Sequence, residues 1–122
     1  MGRLIREEKE DGQFISYEYD VLGRLKRVDF SGGHSVEYFY DELGRLVRVI
    51  SEAGIFSYEY DYMGRKTKLI YPNGVITSYS YDHLGRLIYI EHKNPQGKTL
   101  SFKYTYDPAG NVVKIVQNGE KV

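Results

Sequence analysis

One nine-residue phrase recurs along this chain at a nearly constant interval, and that recurrence limits what the chain can fold into. It reads Tyr17-Glu-Tyr19-Asp20-Val-Leu-Gly23-Arg24-Leu25, then Tyr38-Phe-Tyr40-Asp41-Glu-Leu-Gly44-Arg45-Leu46. It returns as Tyr58-Glu-Tyr60-Asp61-Tyr-Met-Gly64-Arg65-Lys66 and Tyr79-Ser-Tyr81-Asp82-His-Leu-Gly85-Arg86-Leu87. A degraded copy, Tyr104-Thr-Tyr106-Asp107-Pro-Ala-Gly110-Asn111-Val112, ends the series, and Gly2-Arg3-Leu4 is the back half of one more. Successive Tyr-Asp pairs are 21, 20, 21 and 25 residues apart. A period of this length marks a stacked array in which each unit supports the next.

Glycine and tyrosine usage follow the same period. Of 13 glycines, six open the back half of a copy and the other seven fall midway between copies. Of 13 tyrosines, ten stand in the five Tyr-x-Tyr pairs. Short runs rich in Tyr, Val, Ile and Phe, broken by glycine about every ten residues, read as strands joined by hairpins. The expected fold is all-β: an antiparallel hairpin meander of about 11 strands and no helix of consequence. At about 4.8 Å per strand such a sheet is some 50 Å wide, and wide sheets curl. A strongly curled sheet or shell segment is therefore expected, with the Tyr/Leu face inside.

Two turn chemistries alternate. Asp-x-x-Gly suits a type I turn in which the aspartate caps backbone N–H groups and the glycine takes φ > 0 in a bulge. Asp11-Gly12, Gly32-Gly33, Asn73-Gly74, Gln96-Gly97 and Asn118-Gly119 favour two-residue primed turns. The 20-residue repeat needs a three-residue loop, Glu52-Ala53-Gly54, to keep register.

These turns set three rows of side chains. One is a charge ladder, with Arg24 between Asp20 and Asp41 and the same alternation from Arg3 to Asn111. On the opposite face, Leu4, Leu25, Leu46, Lys66, Leu87 and Val112 alternate with Tyr19, Tyr40, Tyr60, Tyr81 and Tyr106. Beside that row, Arg6, Arg27, Arg48, Lys68, Tyr89 and Lys114 alternate with Tyr17, Tyr38, Tyr58, Tyr79 and Tyr104. Arg27 then lies between Tyr17 and Tyr38, Arg48 opposite Tyr58, and Tyr89 opposite Tyr104. Val28, Val49, Leu69, Ile90 and Ile115 fall on the charge-ladder face.

The charges balance, 17 basic against 17 acidic, which points away from an electrostatic partner: neither nucleic acid nor membrane insertion is expected. There is no cysteine for a disulfide framework. His34, His83 and His92 are placed at or beside turns, with no catalytic or metal role. The Tyr-Asp aspartates are turn caps rather than a cation row. No nucleophile motif or phosphate loop is present, so the reading is no enzyme, no cofactor and no metal.

The run Tyr-x-Tyr-Asp-x-x-Gly-Arg-Leu, with a further glycine between copies, resembles the YD-repeat or Rhs (recombination hot spot) family. That family includes bacterial Rhs and wall-associated toxins, the cocoon component of insecticidal toxin complexes, and the teneurins. The resemblance implies a β-strip that spirals into a hollow shell, enclosing a toxin domain or supporting adhesion modules. It also implies a secreted or cell-surface parent. Residues 1–122 are expected to be one array of about five repeats, truncated at both ends. Its expected function is that of a structural, non-catalytic shell segment of a larger toxin or adhesion-type protein. The alternative is a carbohydrate- or protein-binding module that uses the repeated tyrosine face, with glycan as the lesser partner. The first strand is heavily charged, as a protected edge should be. Val112-Val-Lys-Ile-Val116 is apolar and β-prone, and Glu120-Lys-Val122 is too short to cover it. Self-association there, or pairing with neighbouring repeats of the parent, is expected.

Overall fold

The computed structural model describes residues 2–119, so the expectation that Glu120-Lys-Val122 is too short to cover the last strand falls outside the described residues. Eleven strands follow one another: β1 Arg3–Glu8, β2 Phe14–Tyr19, β3 Leu25–Phe30, β4 Ser35–Tyr40, β5 Leu46–Ser51 and β6 Gly54–Tyr60. Then come β7 Lys66–Ile70, β8 Ile76–Tyr81, β9 Leu87–Lys93, β10 Thr99–Tyr106 and β11 Val112–Gly119. They form one antiparallel sheet in chain order, with no helix among the described residues. The contacts divide the chain into two units, Met1–Phe56 and Ser57–Val122.

In the first unit the expected pair Tyr19 and Leu25 is present, but the register then shifts by one, so that Glu18 faces Arg27 and Tyr17 faces Val28. Lys26 is the extra residue of a β-bulge. The same shift separates Tyr40–Leu46 from Phe39–Arg48. A bulge turns the following residues over relative to the alternation of the strand. Val28 and Val49 thus join the tyrosine face, opposite Tyr17 and Tyr38. Their placement on the charge-ladder face is corrected, and Val28 is the buried apolar residue of the unit. Arg27 moves to the other face, between Glu18 and Glu37 rather than between Tyr17 and Tyr38. On β1, Ile5 faces Tyr17, Leu4 faces Glu18 and Arg6 faces Ser16, each one residue from its expected partner.

The second unit repeats this pattern. Tyr60 faces Lys66 before a shift, after which Tyr58 faces Leu69 and Glu59 faces Lys68. Tyr81 faces Leu87, and then Tyr79 faces Ile90. Tyr106 faces Val112, and then Tyr104 faces Ile115 and Thr105 faces Lys114. Leu69, Ile90 and Ile115 therefore lie on the tyrosine face, while Tyr89 faces Ser80 and Lys103 rather than Tyr104.

The alternating glycine turns are also one kind, not two. Gly12 N–H donates to Lys9 O at 3.0 Å and Lys9 N–H to Gln13 O at 2.7 Å. Gly33 with Phe30, Gly74 with Tyr71 and Gly97 with Asn94 repeat the first of these bonds. This is the three-residue, type I plus bulge loop of the Asp-x-x-Gly turns. A primed turn would need φ > 0 at the residue before each glycine, and among the described residues only glycines take positive φ. Pro72 and Pro95 suit the first central position of a type I turn, where φ near −65° is required. At Glu52-Ala53-Gly54 the two turn residues precede Gly54, whose φ is 124°. Asn118-Gly119 is no turn, since both residues pair with β10.

Candidate functional site

The residues of the motif are arranged as links between repeats. The carboxylate of Asp20 accepts hydrogen bonds at Oδ1 from the N–H of Leu22 (3.0 Å) and of Arg24 (2.9 Å). Its Oδ2 accepts from Arg24 Nε at 2.8 Å. The N–H of Gly23 closes the turn on Asp20 O, with φ at 83°. The N–H bond from Arg24 is the main reason the Asp20 carboxyl lies below its ordinary pKa; burial acts the other way, and the Arg24 side chain and the Leu22 N–H add to the lowering.

The guanidinium so placed reaches forward. Arg24 Cζ lies 4.6 Å from the ring centroid of Tyr40, and Tyr40 O–H donates to Leu25 O at 2.7 Å. One repeat's Gly-Arg-Leu therefore holds the second tyrosine of the next repeat by its face and by its hydroxyl. Burial raises the Tyr40 pKa, so the phenol stays a donor. The second unit has the same links. Arg65, held by Asp61 at 2.9 Å, lies 4.8 Å from the Tyr81 centroid, and Tyr81 O–H donates to Lys66 O at 2.6 Å. Arg86, held by Asp82 at 2.8 Å, lies 4.7 Å from the Tyr106 centroid, and Tyr106 O–H donates to Leu87 O.

The charge ladder is corrected accordingly. Arg24 sits between Asp20 and the Tyr40 ring, while Asp41 is engaged by Arg45 of its own turn at 2.8 Å. The reason is the register: a three-residue loop brings Tyr40, not Asp41, beside Arg24. In the degraded copy Asn111 stands in the arginine position and bonds Asp107 at 3.3 Å, so no cation is offered there. Arg3 lies over Tyr19 at 5.2 Å.

The cations expected between the first tyrosines find other partners. Arg27 Nε bonds both oxygens of Asp29, at 2.9 and 3.1 Å, with Glu37 at 3.7 Å. Arg6 bonds Ser16 Oγ at 3.2 Å and lies over Phe14; Arg48 lies over Phe39. A cation does lie between two of these rings, but it is Lys66, with Nζ 5.4 Å from the Tyr58 centroid and 5.7 Å from that of Tyr79. The rings of Tyr17, Tyr38, Tyr58, Tyr79 and Tyr104 are half-buried.

Of the histidines, His34 Nδ1 lies 2.7 Å from Glu52 Oε2 on exposed loops. His92 is not at a turn. It stands within β9 on the tyrosine face, with Nδ1 2.8 Å from the hydroxyl of buried Thr77 and its ring edge-on to Phe102. The bulge at Ile88, hidden in the sequence, puts it there. Among the described residues no group of three or more His, Asp or Glu could hold a metal ion.

The family model described as RHS Repeat matches residues 2–35, 40–76 and 67–99. Among solved structures, the chain is similar to one titled "Crystal Structure of TcdB2-TccC3-Cdc42", with a TM-score of 0.84 at 28% identity. It is equally similar to "Crystal Structure of TcdB2-TccC3 without hypervariable C-terminal region", with a TM-score of 0.84 at 29% identity. Each match covers 93% of this chain and 6% of the other, so this chain corresponds to a small part of those much longer chains. No curated protein sequence matches it. The periodic motif, the hairpin meander and the family match agree: the chain belongs to the RHS repeat family.

Proposed function

We propose that this chain is a length of structural wall from a larger secreted or surface protein of toxin or adhesion type, with no catalytic role of its own. One observation carries the reading. The motif residues that a catalytic reading would need free are committed to joining repeats: aspartate to its turn and arginine, arginine to the next tyrosine, tyrosine to a backbone carbonyl. Such a nearest-neighbour link can be repeated without limit and stiffens a strip. The family match and the similarity to a small part of much longer chains support the same reading. In a wall, the neighbouring repeats of the parent are the partners.

A chimaera tests this. The matched segment of the TcdB2-TccC3 chain is replaced by this chain, and the particle is imaged by electron microscopy. A wall segment is expected to leave the particle's outline intact. A chimaera in which this segment folds but the particle opens or collapses would overturn the reading.

A further inference from the structure

Lys66 is the residue that departs from the repeat in the middle of its most regular region. The equivalent positions hold Leu25, Leu46 and Leu87, with Val112 in the degraded copy. A leucine there contributes apolar contact only, and a lysine on a tyrosine face invites another explanation. From this we infer that Lys66, flanked by Tyr58 and Tyr79, is a carboxylate-binding site that receives an acidic side chain of an extended, otherwise apolar polypeptide lying across the tyrosine face of the second unit.

Several observations support the site. The ammonium lies between two ring faces, and its contacts among the described residues are those rings, with no carboxylate in ion-pair range. Its backbone is pinned, because Lys66 pairs with Tyr60 and its carbonyl accepts the Tyr81 hydroxyl. Neither the Tyr58 nor the Tyr79 hydroxyl has a protein hydrogen-bond partner among the described residues. Among the described residues no buried side-chain nitrogen or oxygen lacks a partner, so the ammonium and both hydroxyls reach solvent. The Tyr79 pKa is raised, first by burial and then by the phenols of Tyr71, Tyr81 and Tyr58. Tyr79 is therefore a protonated donor at neutral pH. A cation and two O–H donors on half-buried surface match a carboxylate, for which charge-assisted bonds are the strong ones.

The surroundings choose the bearer of that carboxylate. The same face presents Leu69, Leu87, Ile90 and Phe102 beside the tyrosines. Those four apolar side chains suit an acid flanked by apolar residues. A uronic acid would set hydroxyls against Leu69, Leu87, Ile90 and Phe102, whose side chains offer them no hydrogen bond.

The test is a titration of the isolated chain, with 13C label at lysine Cε and in tyrosine rings, followed by NMR. The probes are the blocked peptides Leu-Glu-Leu and Leu-Gln-Leu, and free glucuronate. Leu-Glu-Leu is expected to shift Lys66, Tyr58 and Tyr79 saturably, and about tenfold more tightly than Leu-Gln-Leu, as loss of one charge-assisted contact implies. Lys66→Leu restores the residue that the repeat uses elsewhere, so it is expected to fold, which circular dichroism checks; it should remove the preference for Glu over Gln. A Glu preference that survives Lys66→Leu overturns the site. No shift with either peptide overturns it too, and a response to glucuronate alone makes the ligand a sugar and overturns the polypeptide assignment. None of these readouts involves the parent's assembly, so the site and the wall stand or fall separately.

Discussion

Arg24 lies over the ring of Tyr40, its Cζ 4.6 Å from the centroid, although 16 residues and a strand-to-strand turn separate them. The contact joins two repeats, so its strength measures how the array holds together. A double-mutant cycle of Arg24→Gln and Tyr40→Leu is expected to give a coupling of about 0.5–1 kcal/mol. Tyr40→Phe keeps the ring but loses the bond to Leu25 O, and should cost a further ~0.5–1.5 kcal/mol. Urea unfolding measures both; a coupling indistinguishable from zero would remove arginine from the account of the motif.

Gly44 has φ at 82°, and the bulge that brings Arg45 O to Asp41 N–H requires that geometry. Gly44→Val should lower stability by ~1–3 kcal/mol through backbone strain, and Gly44→Asn by clearly less. Thermal midpoints in that order are expected. Equal midpoints for all three chains would mean that the loop adopts another form.

Asp20, Asp41, Asp61, Asp82 and Asp107 all lie below the ordinary carboxyl value of 3.8, chiefly through backbone N–H bonds to each carboxylate. The folded carboxylates release their protons more readily than the unfolded ones, so falling pH favours the unfolded chain. Their contribution is fully present above the unfolded pKa, begins to fall as pH approaches it, and is lost as pH passes below the folded values. Denaturation midpoints across pH 2–6 should be level at the upper end and fall steadily below about pH 4. Asp61→Asn, which keeps an acceptor at the turn, should flatten part of that slope.

The bulge makes a test that separates two registers. Val28 is buried opposite Tyr17, and Lys26 is the exposed extra residue. Val28→Ala should cost ~1–2 kcal/mol as a large-to-small change on a buried face. Lys26→Ala should stay within ~0.5 kcal/mol. An unbulged strand would leave Val28 on the opposite face and reverse its sensitivity.

β11 stands at one margin of the sheet, with Val112, Val113 and Ile115 all exposed. Strands of this kind pair readily with others. Sedimentation across a concentration series should show reversible self-association that Val113→Lys weakens. A monomer at every concentration would leave β11 with no role in association.

What the sequence determined by itself was periodic and local. The Tyr-Asp spacing carried the strand number, and Asp-x-x-Gly carried its own turn, because aspartate capping and a glycine at positive φ act within five residues. The tyrosines' common face was legible too, though for an incomplete reason. Reading Gly32-Gly33 as a two-residue turn slipped the register by one, and missing the bulge at Lys26 slipped it by one again. Because side chains alternate with a period of two, the two slips cancelled for Tyr17 and Tyr38. They did not cancel for the residues between, so Arg27 and Val28 exchanged faces, and Arg24 met the Tyr40 ring instead of Asp41. Only the tertiary structure decided those partners. A bulge carries no mark of its own in the sequence: Val47, Thr67, Ile88 and Val113 are β-branched, as strand residues commonly are, and Lys26 is not. The extra residue is set by how the next strand packs and twists against the one before it.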